Sequence, residues 1–193
     1  MSHKYYDEHA QEFFESTVNA DMSVLIEKFT SLLKPGAHIL DAGSGVGRDT
    51  KTFLELGFKV SAFDASEEMV KISSNYTGIK TRLLKFEDMD YVNEFDGIWA
   101  CASLLHIEKP KSGYVYKKLS DALTKNGILF VSYKDNEVDF EKDGRHFTCY
   151  SSETFRNFLL SINLFMIIEE FSTDDVRVNR TKEKWYNCIL RKM

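Results

Sequence analysis

The chain has little cysteine: Cys101, Cys149 and Cys188 stand far apart and form no CxxC pair. An odd, scattered set argues against a disulfide framework or a zinc site and points to reduced thiols in a cytoplasmic protein with no metal. No apolar run approaches membrane-spanning length, so no membrane partner is expected. The opening residues, MSHKYYDEHAQEFF, carry acids and lack the apolar stretch of a secretory signal. Basic residues are not in excess either. The formal charge of −5 weighs against a nucleic-acid partner, which needs a basic face. Repeats, low-complexity tracts and linkers are also missing. What is present is 193 residues, 43% apolar and 28% charged. That length suits a single domain with a sizeable core, expected to span 1–193.

Strand-like and helix-like segments alternate along this length. Strands are expected at 37–41, 58–64, 81–86, 97–101 and 128–133, with helices at 47–56, 66–76, 112–124 and 151–162. Ser66 is a natural N-cap, and Asn126-Gly127 closes the helix before the fifth strand. Two further extended runs, 165–171 and 185–190, flank a polar stretch at 172–184 that suits a long hairpin connection. The alternation with short connections indicates an α/β fold with a doubly wound sheet over 35–193. Ahead of it, 5–15 and 22–33 read as helices, the second stopped by Lys34-Pro35-Gly36. The aromatic first helix, in an N-terminal region of 1–34, suits a lid over a pocket or plain packing on an outer helix.

Residues 39–50 read ILDAGSGVGRDT: a strand end, an aspartate, then glycines at 43, 45 and 47 leading into a helix. Alternate glycines let the chain turn tightly and let a ligand touch bare backbone. One strand later comes Asp64, whose carboxylate has the paired acceptors that a ribose diol's paired donors require; a helix-capping acid is the plainer role. Dehydrogenases use G-x-G-x-x-G at this place, whereas the glycines here fall in G-x-G-x-G behind Leu40-Asp41-Ala42.

With that motif the chain resembles the class I S-adenosylmethionine-dependent methyltransferases. The similarity continues through Asp64, Phe86-Glu87-Asp88-Met89, Phe95-Asp96-Gly97-Ile98-Trp99-Ala100 and the turn 123–129. Within the family, LDAGSGVGRD looks most like the small tellurite-resistance-type branch. The resemblance implies a Rossmann-like, mostly parallel seven-stranded sheet, its last strand antiparallel and inserted between neighbours. It implies S-adenosylmethionine as cofactor and methyl transfer by in-line displacement to a small, anionic acceptor. A tRNA or protein target, or a cofactor-binding module without catalysis, are the alternatives. Oligomeric state is not encoded in any motif.

The same resemblance implies the site. Asp41 bonds the cofactor's amino group, and Gly43, Ser44, Gly45 and Gly47 lie along its methionyl and ribose parts. Arg48 either pairs with the methionyl carboxylate or makes a surface ion pair with Asp49 or Glu55. Asp64 takes the ribose diol, with Ala65, Ser66 and Met69 beside it; Phe86, Glu87 and Asp88 border the adenine. Cys101, Ala102 and Ser103 pass under the cofactor, Cys101 being either a reactive thiol or a buried, inert one. His106 is a candidate base or a packed histidine, and Tyr133 a second catalytic candidate beside Lys134. Tyr6, Phe14, Arg145, Arg177, Arg180 and Trp185 are assigned to the acceptor, the arginines because planar guanidinium groups pair with carboxylates and oxyanions; a solvated hairpin loop is the other reading for the late cluster.

Overall fold

A computed structural model describes residues 2–176 and 183–193. The N-terminal region forms α1 (Ser2–Glu8), α2 (Ala10–Thr17) and α3 (Ser23–Thr30). The single helix expected over 5–15 is broken at His9, whose backbone leaves the helical region at φ −119°, ψ 21°. The core then alternates β1 (His38–Ala42), α4 (Arg48–Glu55), β2 (Lys59–Asp64), α5 (Glu67–Thr77), β3 (Arg82–Leu83), β4 (Phe95–Ala100), α6 (Lys109–Ala122) and β5 (Leu123–Lys134). A small hairpin of β6 (Phe140–Lys142) and β7 (Arg145–Phe147) follows, then α7 (Ser152–Ile162), β8 (Phe165–Asp174) and β9 (Lys184–Lys192).

The main sheet has seven strands in the order β3-β2-β1-β4-β5-β9-β8. β1 to β5 run parallel, and β9 is antiparallel to both β5 and β8, between which it lies. This is the doubly wound, mostly parallel sheet expected, with the two terminal runs completing it. The third strand is shorter than 81–86: after Leu83 the chain bends, and Phe86–Asp88 form a 3-10 turn. A short edge strand of this kind offers little unpaired backbone to another sheet. Helix α6 begins at Lys109, before the expected 112, because Pro110 suits a first helical turn. Among the described residues no helix is long and apolar enough to cross a membrane.

Alternation along the strands sends side chains to two cores. Ile39, Trp99, Phe130 and Ile189 face α3 and α4, where they meet Phe29 and Phe53. Trp99 stacks on Phe130 with ring centroids 4.0 Å apart. Leu40, Ile98, Leu129, Val131 and Tyr133 face α6 and α7, against Tyr116, Leu119 and Phe155. This parity decides which residues at the strand ends can reach a ligand.

The last loop glycine turns out to serve packing between helices. Gly47 precedes α4 at φ +85°, and a Cβ there would lie 2.6 Å from Ser73 Oγ and 2.7 Å from Thr77 Cγ2, both on α5. Gly47→Ala therefore combines a left-handed backbone with a steric clash, and we expect a loss of about 2–4 kcal/mol of stability in urea unfolding. A loss below the error of that measurement would show that α5 simply moves aside.

Candidate active site

A cavity of about 630 Å³ opens at the carboxyl ends of the parallel strands. Gly43, Ser44, Gly45 and Val46 form one wall. Gly43 sits at φ +75° so close to Ser103 that a Cβ would stand 2.5 Å from that residue's own Cβ. The Ser103 hydroxyl in turn donates to the Ala42 carbonyl at 2.7 Å, tying the end of β4 to the loop. The Gly43 and Ser44 amides donate to the Phe63 carbonyl at 3.0 and 2.9 Å, which fixes the bend. A Cβ built on Gly45 would meet only a Phe13 ring edge, at 3.9 Å. The buried Ser44 hydroxyl has no partner among the described residues.

Asp64 organises this wall. Its Oδ2 accepts from the Gly45 amide at 2.8 Å and its Oδ1 from the Ser66 amide at 2.9 Å. Burial raises its carboxyl above the ordinary value while these backbone donors pull it down. Each oxygen keeps lone-pair capacity for a further donor. Asp41 is 3% exposed, lines the cavity and accepts from Thr50 Oγ1 at 2.6 Å. Burial, reinforced by the Asp49 carboxylate, pushes its carboxyl up to about 7.

Arg48 faces the cavity, but its fork is engaged. Nε and one η nitrogen donate to Asp49 at 2.7 and 2.9 Å, and Asp49 also accepts from Trp99 Nε1 at 2.9 Å. The Asp49 pairing considered from the sequence is thus realised, though buried, where a surface ion pair was expected. Ala65, Met69, Phe86, Glu87, Cys101, Ala102 and Ser103 also line the cavity. Burial, then Asp49, pushes the Cys101 thiol up to about 12, so it stays protonated, in keeping with the inert reading.

Several expected residues lie elsewhere. Gly47 packs on α5, and Ser66 is buried as the N-cap of α5, accepting from the Met69 amide at 3.1 Å and donating to Asp7 at 2.7 Å. Asp88 is exposed on the far side of its 3-10 turn. Tyr133 is corrected by strand parity: it points into the α6–α7 core, 2.9 Å from the Tyr116 hydroxyl, while its neighbours Ser132 and Lys134 line the cavity. Phe14 packs edge-on against Tyr76 at 5.5 Å, and Phe13 takes the cavity position instead. Arg177 and Arg180 fall outside the described residues.

The opposite end of the cavity is aromatic and carries one buried arginine. Tyr6 of α1 reaches His106 Nε2 at 2.8 Å, and His106 Nδ1 lies 2.7 Å from the His146 carbonyl. A carbonyl only accepts, so Nδ1 carries the proton and Nε2 accepts from Tyr6. Burial, with the Arg145 charge nearby, lowers His106 to about 4, and burial raises the Tyr6 phenol. Arg145 is 6% exposed, with its guanidinium 3.8 Å from the Tyr5 ring centroid. One η nitrogen donates to Asp143 at 3.0 Å, and Nε has no partner among the described residues. Trp185 also lines the cavity; its Nε1 donates to Asp175 at 3.1 Å, and Lys134 Nζ sits 3.8 Å over its ring. Lys134 is bonded to Asp175 at 3.4 Å and to Glu183. Sequence reasoning named Asp49 only as an ion-pair partner of Arg48, and it missed Phe13, His146 and Asn187 as lining residues.

A glycine loop, a diol-capable acid at the next strand end and a pocket at the sheet's carboxyl edge define a Rossmann-like nucleotide-cofactor domain. Residues 39–127 match the family described as methyltransferase domain. Those residues are just under half of the chain, and the class I, S-adenosylmethionine-dependent type is what they resemble. A ubiquinone biosynthesis O-methyltransferase from Xanthomonas axonopodis pv. citri is 29% identical over 117 residues, 56% of this chain and 48% of that protein. The chain thus spans about half the length of that relative. An uncharacterized methyltransferase from Staphylococcus carnosus is 21% identical over 80% of this chain and 78% of its own. The crystal structure of Burkholderia thailandensis 1,6-didemethyltoxoflavin-N1-methyltransferase, with 1,6-didemethyltoxoflavin and S-adenosylhomocysteine bound, superposes with a TM-score of 0.78. It is 20% identical and covers 100% of this chain and 91% of its own, a likeness of fold. Placement in the tellurite-resistance-type branch rests on the LDAGSGVGRD loop alone.

Proposed function

We propose that this chain is an S-adenosylmethionine-dependent methyltransferase acting on a small anionic acceptor by in-line displacement. The observation that carries the reading is one cavity with the glycine loop and Asp64 at one end and Arg145 and Tyr6 at the other. At about 630 Å³ it lies within the range typical of ligand sites and suits a cofactor with a small co-substrate.

The residues present fit the cofactor. Asp64 has spare acceptor capacity for the ribose diol, the unpartnered Ser44 hydroxyl needs a polar partner, and Gly45 leaves room for close approach. Phe86 and Glu87 border the adenine, while Asp41 and Asp49 offer negative charge to the amino group and sulfonium. When bound, the cofactor supplies an electrophilic methyl group on that sulfonium. The protein's share is alignment and exclusion of water. Helix α1 covers the pocket through Ser2, His3 and Tyr6, and is held by Asp7, which accepts from Ser66 Oγ at 2.7 Å and the Glu68 amide at 3.3 Å. Such a lid admits small acceptors and suits a macromolecule poorly. The bound ligand of the Burkholderia protein and the name of the Xanthomonas relative also favour a small molecule.

Titration calorimetry with S-adenosylhomocysteine checks the cofactor. We expect one site that binds it and does not bind NADH. The opposite preference would replace the methyltransferase reading with a dehydrogenase one. Binding without release of S-adenosylhomocysteine for any small acceptor would leave the non-catalytic module.

A further inference from the structure

We propose that the acceptor is methylated on an oxygen that already carries its negative charge on arrival, a carboxylate held by Arg145. In this arrangement the Tyr6–His106 pair ties down the N-terminal helix and takes no proton. The inference rests on the methyltransferase reading and narrows its substrate class.

The groups around the acceptor end decide the point. His106 has both ring nitrogens engaged, one donating to the His146 carbonyl and the other accepting from Tyr6. Tyr6 spends its proton on that bond. Both nitrogens of His146 are also engaged, at 2.7 Å from Glu141 and 3.0 Å from Thr148 Oγ1. Lys134 is bonded to Asp175 and Glu183, and the Cys101 thiol lies near Ser132 Oγ at 3.7 Å. His3, on the same helix as Tyr6, lines the cavity without a hydrogen bond, and burial, then the Lys85 charge, lowers its imidazole below the ordinary value. Among the described residues, His106, His146 and Lys134 are thus engaged, and His3 is the imidazole of the cavity lining that is not. A neutral hydroxyl, amine or thiol acceptor would have to give its proton to His3, whose basicity burial weakens.

Arg145 is built for the opposite task. It is almost fully buried, flanked by the Tyr5 ring at 3.8 Å and the Phe147 ring at 5.3 Å, with an unpartnered Nε–H. The counter-charge of Asp143 is 52% exposed and engages one η nitrogen. A guanidinium held by aromatic faces, with an unpartnered donor and a water-screened counter-ion, matches a carboxylate, and the Glu141 carboxylate that also lines the cavity is tied to His146 at 2.7 Å. The reaction then balances without a proton. The carboxylate oxygen forms the new O–C bond, the C–S bond of the sulfonium breaks, and its electron pair remains on sulfur. An anion and a cation become two uncharged groups at the reacting atoms, a change favoured where water is excluded.

The test uses the purified protein loaded with S-adenosylhomocysteine and a panel of benzoate, salicylate and short aliphatic acids, each matched with its amide. Calorimetry is expected to show carboxylates binding at least about tenfold more tightly than the amides, with the preference lost in Arg145→Gln and partly kept in Arg145→Lys. Cofactor affinity in both variants reports that the pocket is still folded. With S-adenosylmethionine and a dye indicator in weak buffer, transfer to a carboxylate yields a base-labile methyl ester and no proton per turnover. One proton released per turnover, with methyl on a phenol, amine or thiol, overturns the proposal. So does binding of S-adenosylhomocysteine with no carboxylate in the panel bound. Failure of S-adenosylhomocysteine itself to bind strikes the methyltransferase reading instead.

Discussion

Asp64→Ala is expected to weaken S-adenosylhomocysteine binding by at least about a hundredfold, because a carboxylate loses two charge-assisted bonds to the ribose at ~1.5–3 kcal/mol each. The structural cost adds to this. The same carboxylate holds the Gly45 amide at 2.8 Å and the Ser66 amide at 2.9 Å, so alanine also releases the glycine loop. Asp64→Asn separates the two effects. Its amide oxygen keeps one backbone bond, but its NH₂ faces the other amide donor, and one acceptor for the diol disappears. We expect Asn to lie between alanine and the parent in affinity, measured by calorimetry at constant ionic strength. Equal affinities for parent and alanine variant would remove Asp64 from the cofactor site and leave it a loop anchor.

The features legible from sequence are those set by local rules. Strand, glycine loop and helix at 39–50 follow from steric freedom at glycine, and the order of elements from short connections between apolar runs. Asp64 was readable because its place is fixed by the end of β2, whose register pairs Asp41 with Ala62. The two terminal runs were readable as strands that complete the sheet. Tyr133 was not, for a physical reason: β5 is buried on both faces, so ILFVSY shows no alternation from which to tell inward from outward. Only packing reveals that 129, 131 and 133 face α6 while 132 and 134 face the cavity. Phe13 and Phe14 were exchanged because the break at His9 resets the helical phase. The β6–β7 hairpin turns at Asp143-Gly144, where both residues have positive φ, and its strands of three residues carry too little pattern to register. His106 was placed correctly after β4, yet its bond to Tyr6, 100 residues away in sequence, is purely tertiary.

Asp41→Asn is expected to make the protein more stable at neutral pH while impairing cofactor binding. The carboxyl of Asp41 is raised from 3.8 to about 7, mainly by burial and then by Asp49. Between those values the folded chain keeps a proton that the unfolded chain has released. Stability from this group therefore falls as pH rises through the window, and the loss is complete above the folded value. Asparagine never ionises and can still accept from Thr50 Oγ1, so the gain should grow from little near pH 4 to about 2–4 kcal/mol at pH 8. His106 works in the opposite sense. Lowered from 6.5 to about 4, it costs stability as pH falls through its own window, so the two contributions oppose each other, with the raised Asp64 adding to the first and the lowered His38 to the second. The Asn variant uncovers the histidine's slope. Urea unfolding at pH 5 and pH 8 measures both: a gain that is larger at pH 8 is the expected result, and a variant less stable than the parent at pH 8 refutes it. On the proposed function, the parent retains a destabilising buried acid to set negative charge beside a cationic donor, the usual exchange of stability for function at a binding pocket.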